Sequence, residues 1–411
     1  MQIFASELHQ FRYIGKDGSV KMIDSEYKFG AFVPVVPKIY QDAVSDETIE
    51  STITTKPTTS HQETSEHPAC SIGPRWTPLK LISIQPYNHD TSIFEFELPD
   101  PQSFLHLPVT AHLLVKAPEL ARDGGTTETA TETKTKTHTE MTATEHVRPY
   151  TAVEECRRGR FKIMVKRYPE WGTPEAKLKT QYSVFLYATT DHSYKPPGKV
   201  SNYIHSLQIG QALQFKFTHI CHGKIKYPFD EDITAITMIA VGAGVAPMIR
   251  ILRALLDGQR HRNQDQDQDC PHVQTIRLLY GARTVPDILQ KDLLDHWHDR
   301  HKDDRRFQVC YCIGSRWNNV HFAAKTEQKQ GPPLPVGWDT IPPDRKELGW
   351  ADGDKIAKHG ASDANDSGHR VFICGLPGVY ISLAGSRFDD RVVQGTQLHR
   401  LGYRDYQVVK F

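Results

Sequence analysis

Residues 236–256, ITMIAVGAGVAPMIRILRALL, admit few folds. The first six residues are apolar or β-branched without alternation, the pattern of a strand buried on both faces of a parallel sheet. Gly242 and Gly244 remove side chains where the backbone must turn sharply or let a ligand come close. Pro247 suits a first helical turn, and Met248, Ile251, Leu252, Leu255 and Leu256 form a helical stripe. The stretch therefore reads as strand, glycine turn, helix. At the carboxyl end of a parallel strand, such a turn gathers unpaired N–H groups and positive dipole, where open α/β sheets bind phosphorylated cofactors. An ordinary strand-to-helix corner has the same pattern, and the glycines alone do not separate the two.

The rest of the chain divides around this stretch. Short alternating strands at 79–84, 91–98, 109–115, 150–153, 161–168, 182–189 and 212–219, with one helix-like piece at 202–207, suggest a closed antiparallel β-barrel. From residue 234 the rhythm changes: strands at 236–241, 275–280, 307–312 and 371–374 alternate with helices at 248–256 and 291–299, implying a parallel, right-handed α/β sheet. A chain of 411 residues exceeds what one core usually supports, so two domains are expected: a β-barrel domain at 74–232 and an α/β domain at 233–411. Residues 1–73 form an extension, with strand-like pieces at 27–36 and a Thr-, Ser- and Glu-rich stretch at 42–68 that has almost nothing to bury. Residues 121–145 read as a disordered insertion, and 259–271 and 318–348 as surface excursions.

Charge and cysteine usage exclude some classes. Fifty basic against 49 acidic residues leave a formal charge of +1, which supports neither a nucleic-acid nor an anionic-membrane partner. Seven cysteines spread over the chain do not make a disulfide framework and point to a reducing compartment. No apolar run approaches the roughly 20 residues of a transmembrane helix, and the first residues lack a secretory signal. An intracellular, cytoplasmic rather than organellar, monomeric protein is expected.

Two polar motifs carry chemistry. In Arg148-Pro149-Tyr150-Thr151, arginine can hold a pyrophosphate bidentately, tyrosine offers a flat face to an aromatic ring system, and threonine gives a hydroxyl to that ring's polar edge. A strand opened by proline and flanked by an exposed ion pair is the bland alternative. Gly198-Lys199-Val200-Ser201 places a serine at a helix start, either as a plain N-cap or as a phosphate-binding hydroxyl. Cys310-Tyr311-Cys312 lacks a second ligand pair for zinc, and His296, His298 and His301 follow a helix without metal-ligand spacing, so no metal is expected.

The order of motifs is more specific than any one of them. Arg148 to Thr151, then Lys166 and Tyr168, then Gly198 to Ser201, then the Gly242 turn, then Cys374-Gly375-Leu376-Pro377 resembles the cytochrome b5 reductase family within the ferredoxin-reductase superfamily, over about residues 76–411. The resemblance implies an antiparallel-barrel FAD domain followed by an NAD(P)H domain. It implies that Arg148 and Pro149 lie at the FAD pyrophosphate and that Tyr150 and Thr151 meet the isoalloxazine. Lys166 and Tyr168 would line the ribityl and phosphate path, with Gly198, Lys199, Val200 and Ser201 holding the pyrophosphate. Gly242, Ala243, Gly244, Ala246 and Pro247 would shape the nicotinamide site, and Cys374, Gly375 and Pro377 would place the nicotinamide over the flavin. The implied activity is that of a flavin oxidoreductase taking hydride from NADH or NADPH and passing single electrons to a separate haem protein. Tyr150, Thr151 and Cys374 would be nearest the chemistry.

Departures from the family pattern bear on this. Ala243 and Ala246 stand where hydroxyl residues are common, and Leu376-Pro377-Gly378 replaces a proline run, which motivates an alternative: a catalytically weak flavoprotein serving as an interaction module. No acid follows the strand at 307–312, where NADH-using members carry aspartate; Ser315-Arg316 instead resembles a pair that meets the 2′-phosphate of NADPH, and Arg283 would add a second charge.

Overall fold

The computed structural model describes residues 11–14, 20–23, 70–118, 145–168, 198–257, 270–314 and 334–411. The expected strand at 182–189, the stretches at 27–36 and 42–68, most of the insertions at 121–145 and 259–271, and both Ser315 and Arg316 lie outside the described residues. A short antiparallel hairpin, β1 (Phe11–Ile14) and β2 (Val20–Ile23), stands as its own two-stranded sheet.

The first domain is a seven-stranded antiparallel sheet of β3 (Thr77–Pro86), β4 (Thr91–Glu97), β5 (Leu113–Pro118), β6 (Glu145–Tyr150), β7 (Ala152–Arg157), β8 (Arg160–Lys166) and β9 (Ala212–Lys216). Their order is β6-β5-β9-β3-β4-β8-β7. Strand β3 makes the curl possible. Its first half, Thr77–Lys80, pairs with β9, its second half pairs with β4, and the register shifts between Leu81 and Ser83. A bulge of this kind bends a strand so that one chain serves two faces. The concave side is filled by Phe96, Phe161 and Phe215, whose ring centroids lie 4.8 to 5.9 Å apart, and is closed by Val200 and Ile204 of α1 (Lys199–Ser206).

The expected closed barrel is corrected to an open one. Strands β6 and β7 are joined by Thr151 alone, yet they are the two edges of the sheet, and among the described residues no ladder links them. The expected strand at 109–115 also starts late, at Leu113. The carbonyl of Pro108 takes the Ala111 N–H at 2.9 Å, and that of Val109 is taken by a distant arginine, so this stretch turns instead of pairing. The strand expected at 150–153 resolves into the end of β6 and the start of β7, and Glu145, assigned to the insertion, already belongs to β6.

The second domain is a six-stranded parallel sheet, ordered β13-β12-β11-β10-β14-β15: β10 (Ala235–Val241), β11 (Thr275–Ala282), β12 (Phe307–Ile313), β13 (Lys346–Leu348), β14 (His369–Cys374) and β15 (Val408–Lys410). Alternate residues of β10 serve opposite faces. Ile236, Met238 and Ala240 face α2 (Val245–Leu256) and α3 (Lys291–Arg300), whereas Ile239 faces α4 (Gly353–His359), α5 (Pro377–Leu383) and α6 (Gln397–Arg400). Part of the excursion at 318–348 is therefore structural: Ile341 is buried and β13 extends the sheet edge.

Helix α2 is buried at eleven of its twelve positions, so it is packed on all sides and not on one stripe. One side meets its own sheet. The other meets the barrel, whose Val109, Val153 and Met164 join the same apolar cluster. Within this contact Arg250 is buried. Its Nε donates to Val109 O at 3.0 Å, Nη1 to Ala152 O at 3.4 Å, and Nη2 to Leu107 O.

Arg250→Met keeps the packing volume but leaves three buried carbonyls without these donors, and a destabilisation of about 3 kcal/mol is expected. Denaturant titrations followed by tryptophan fluorescence and by far-ultraviolet circular dichroism should shift and separate. Coincident, unshifted transitions would show that the guanidinium contributes nothing to domain docking.

Candidate active site

Two segments far apart in sequence form the site's floor. At the carboxyl end of β10 the chain passes through Gly242, Ala243 and Gly244 as a single tight turn and enters α2. Gly242 has φ +56°, a region that penalises side chains, and the space a Cβ would take is open to at least 4 Å. Gly244 serves differently: a Cβ there would lie 2.3 Å from the Cys374 carbonyl oxygen and 2.9 Å from the Gly375 nitrogen. The first glycine gives the turn its conformation; the second lets the start of α2 touch the end of β14. Ala246 and Pro247 are buried in the first turn of α2, where the missing proline N–H costs no helical bond.

Cys374 ends β14, and Pro377 opens α5. The Tyr380 hydroxyl on this helix holds the Cys374 end in place: it accepts from Gly375 N–H at 3.2 Å, donates to Phe411 O at 2.5 Å, and contacts the Cys374 thiol. Burial pushes the thiol above its ordinary pKa despite Arg387 and the Tyr380 contact, so Cys374 stays protonated at neutral pH and is no nucleophile. The loop after α5 is gathered around one ammonium. Lys410 Nζ donates to the carbonyls of Ala384, Ser386, Asp389 and Arg391 at 2.7 to 3.0 Å.

The barrel supplies the opposite wall. In β6, Arg148, Pro149 and Tyr150 pair with Val115, Leu114 and Leu113 of β5. Arg148 Nη1 donates to Val147 O at 2.7 Å, and burial lowers its pKa, yet among the described residues it has no carboxylate partner. Tyr150 packs on the barrel core, and its hydroxyl pKa is raised by burial and then by Tyr168. Tyr168, beyond the end of β8, keeps 38% of its surface, but desolvation in the cleft, with smaller contributions from the Asp90 carboxylate and Cys374, pushes its hydroxyl to about 12. Its carbonyl accepts Gly198 N–H at 3.0 Å and Asn202 Nδ2 at 2.9 Å, which ties the strand end to the start of α1.

Helix α1 begins three residues earlier than expected. Gly198 is the cap residue and Ser201 lies inside the first turn, its Oγ donating to Gly198 O at 3.0 Å. The N-cap reading of Ser201 is therefore corrected. A Cβ on Gly198 would lie 2.3 Å from that Oγ and 3.0 Å from Tyr168 Cβ, so glycine is required here by space. Lys199 is exposed, and Val200 faces the barrel core, leaving only its backbone for a ligand.

Two expected ligand cations also pair with carboxylates of both domains. Lys166 Nζ lies 2.7 Å from Asp90 Oδ2 and 3.7 Å from Asp287 Oδ1; Arg283 Nη2 lies 3.5 and 3.6 Å from the same oxygens. Asp90 and Lys166 belong to the barrel, and Asp287 and Arg283 to the parallel sheet. Lys166 and Arg283 thus take part in an interdomain ion-pair network, which sequence spacing could not reveal. His89 Nε2 sits 3.5 Å from both carboxylates; these three groups have metal-ligand spacing, but the two basic side chains already neutralise them.

The arrangement suits two dinucleotides. A half-buried guanidinium with no acid among the described residues, on a strand that lies near a helix whose first-turn N–H groups have no intrahelical acceptors, fits a pyrophosphate. The open face at Gly242 fits a second phosphorylated group at the sheet's carboxyl edge. Strand β8 touches the glycine turn, so the two sites share one cleft.

Comparison with known proteins agrees. The Oxidoreductase FAD-binding domain family matches residues 78–137 and 132–227, and the Oxidoreductase NAD-binding domain family matches residues 238–330. The chain is similar to NADH-cytochrome b5 reductase 2 of Coccidioides immitis, 26% identical over 82% of this chain and 77% of that one. It is also similar to NADH-cytochrome b5 reductase 2 of Yarrowia lipolytica, 26% identical over 82% and 86%. Among solved structures, the cytochrome b5 reductase domain of Ulva prolifera nitrate reductase covers 84% of this chain and all of its own, at 20% identity and a TM-score of 0.54, and so shares the fold. No helix among the described residues is long and apolar enough to cross a membrane.

Gly244→Ala tests the contact between the two floor segments. A Cβ at 2.3 Å from backbone must push β14 and α2 apart, so affinity for NAD+ or NADP+ should fall at least tenfold in calorimetric titration while bound FAD is retained. Unchanged affinity would mean that the Cys374 segment and the glycine turn do not act as one surface.

Proposed function

Because the chain belongs to the cytochrome b5 reductase family of the FAD- and NAD(P)H-binding ferredoxin-reductase-like superfamily, we propose that its electron acceptor is a separate haem protein of the cytochrome b5 kind. The chain itself is an NAD(P)H-dependent flavin oxidoreductase. The observation that carries the acceptor is the match to relatives named NADH-cytochrome b5 reductases across both domains, 82% of this chain.

Bound FAD and NAD(P)H supply hydride transfer and its conversion to single electrons. The chain's own residues bind and align. Arg148 would hold the FAD pyrophosphate together with the Gly198, Lys199, Val200 and Ser201 backbone and the Ser201 hydroxyl, with Pro149 setting the strand. Tyr150 and Thr151 would meet the flavin ring, and Tyr168 would bound the cleft. Gly242, Ala243, Gly244, Ala246 and Pro247 would form the nicotinamide-dinucleotide turn, with Cys374, Gly375 and Pro377 beside it. A protonated Cys374 contributes shape, not a charge, which suits a residue that positions a neutral ring.

Purified protein should be yellow, bleach on anaerobic addition of NADH or NADPH, and then reduce ferricytochrome b5 in a stopped-flow mixing experiment. Bleaching with ferricyanide reduction but no acceleration of cytochrome b5 reduction would leave the oxidoreductase intact and remove the acceptor. Arg148→Ala should lose FAD on desalting, because the pyrophosphate forfeits a charge-assisted bond; full retention would remove that assignment.

The nucleotide preference now rests on sequence alone. With Arg283 paired to Asp90 and Asp287, Ser315 and Arg316 remain as the groups proposed for a 2′-phosphate. NADPH should then be accepted at least as well as NADH, and Arg316→Ala should raise KM for NADPH while sparing NADH. A hundredfold preference for NADH, unaltered by the substitution, would overturn this reading.

A further inference from the structure

The turn between β3 and β4 docks on the parallel-sheet domain with each of its residues. Tyr87 Oη accepts the Gln290 N–H at 2.7 Å, Asn88 Nδ2 donates to Pro286 O at 3.1 Å, and His89 and Asp90 face the Asp287 and Arg283 side chains. One residue earlier, the Leu289 N–H donates at 3.0 Å to the hydroxyl of Tyr280, which is fully buried in β11. That hydroxyl donates in turn to Gly242 O at 3.1 Å. Two successive amides, Leu289 and Gln290, thus end on tyrosine hydroxyls of different domains, and one of those hydroxyls holds the glycine turn.

The geometry leaves little slack. Gly242 O also accepts the Val245 N–H, which it shares with Ala243 O, so the φ +56° turn is held from two directions. Gln290 has φ +57°, a left-handed conformation that a non-glycine residue keeps only when its surroundings enforce it. The Tyr87 hydroxyl is one of those enforcing groups. If it is removed, Gln290 relaxes, Leu289 moves with it, and the Tyr280 hydroxyl loses the donor that orients it toward Gly242.

We infer that Tyr87 and Tyr280 are positioning residues that couple the docking of the two domains to the shape of the nicotinamide-dinucleotide turn. The coupling is reciprocal: dinucleotide at the turn tightens the Leu289–Gln290 segment, and docking of the barrel turn raises dinucleotide affinity. It rests on the reading that the Gly242 turn holds the dinucleotide. Electron transfer requires the dinucleotide and the barrel to be aligned together, and this chain of three hydrogen bonds makes one condition favour the other.

The test uses the FAD-loaded full chain and whichever of NAD+ and NADP+ binds the wild type more tightly. Tyr280→Phe removes two buried hydrogen bonds, to Gly242 O and from the Leu289 N–H, and should weaken binding at least about fivefold. Tyr87→Phe, whose lost hydroxyl bonds Gln290 and not the turn, should weaken it about threefold, and the double variant should fall short of the product of the two. Hydrogen exchange should show the Leu289 and Gln290 amides protected by the dinucleotide in the wild type, with that protection lost in Tyr280→Phe. Gly242→Ala separates the premise from the coupling. If it leaves dinucleotide affinity unchanged, the turn does not hold the dinucleotide and both readings fall. If it weakens binding while Tyr87→Phe has wild-type affinity and wild-type Leu289 exchange, the coupling alone is overturned.

Discussion

Everything in the cleft depends on where one arginine ends. Arg250 sits in a helix that belongs to the parallel sheet, but its guanidinium donates to the carbonyls of Leu107, Val109 and Ala152 in the barrel. A buried guanidinium is tolerated only when its donors are matched, and these carbonyls accept from all three of its nitrogens. The arrangement fixes angle as well as distance, because the planar fork must meet oxygens from two separate stretches. Around it the cores of the two domains are continuous through Val109, Val153 and Met164. The molecule is therefore two topologies with one shared interior, and the cleft is what remains open beside it.

At the cleft mouth the balance is electrostatic. Asp90 and Asp287 are almost fully buried carboxylates, one from each domain, and Lys166 and Arg283 bridge them in both directions. Each acid has both cations within 3.7 Å, and an isolated buried carboxylate would cost several kcal/mol. Such a network favours the docked arrangement over slightly rotated ones more than it adds raw stability, because a small rotation strands a charge.

Much of this fold was legible in the sequence because it depends on local pattern. The unbroken apolar run at 236–241 and the glycine pair specify a buried strand and a turn, and β10 and α2 stand where that pattern puts them. The α/β alternation after residue 234 likewise needs no distant partner to be read. What escaped was decided at long range. Residues 109–111 have strand-like composition, yet the Val109 carbonyl is claimed by a side chain 141 positions away, so the strand begins only at Leu113. The pairing of Lys166 and Arg283 with Asp90 and Asp287 likewise joins residues that no local pattern relates. Ser201 was misplaced by a few residues because serine fits a cap and a first turn alike, whereas the short strand β13 has no periodicity to detect. Barrel closure is a matter of whether two edges meet, which strand patterns do not encode.

The loop that follows α5 illustrates a different economy. Four carbonyl oxygens converge on the ammonium of Lys410, as they would on a bound monovalent metal ion. A metal there would obey mass action, and the loop's order would rise and fall with ionic composition. An ammonium on a covalent stem is always at saturating local concentration. The segment beside Cys374 is consequently insensitive to chelators and to the potassium or sodium content of its surroundings, and the occupancy of this cation position is settled when the chain folds.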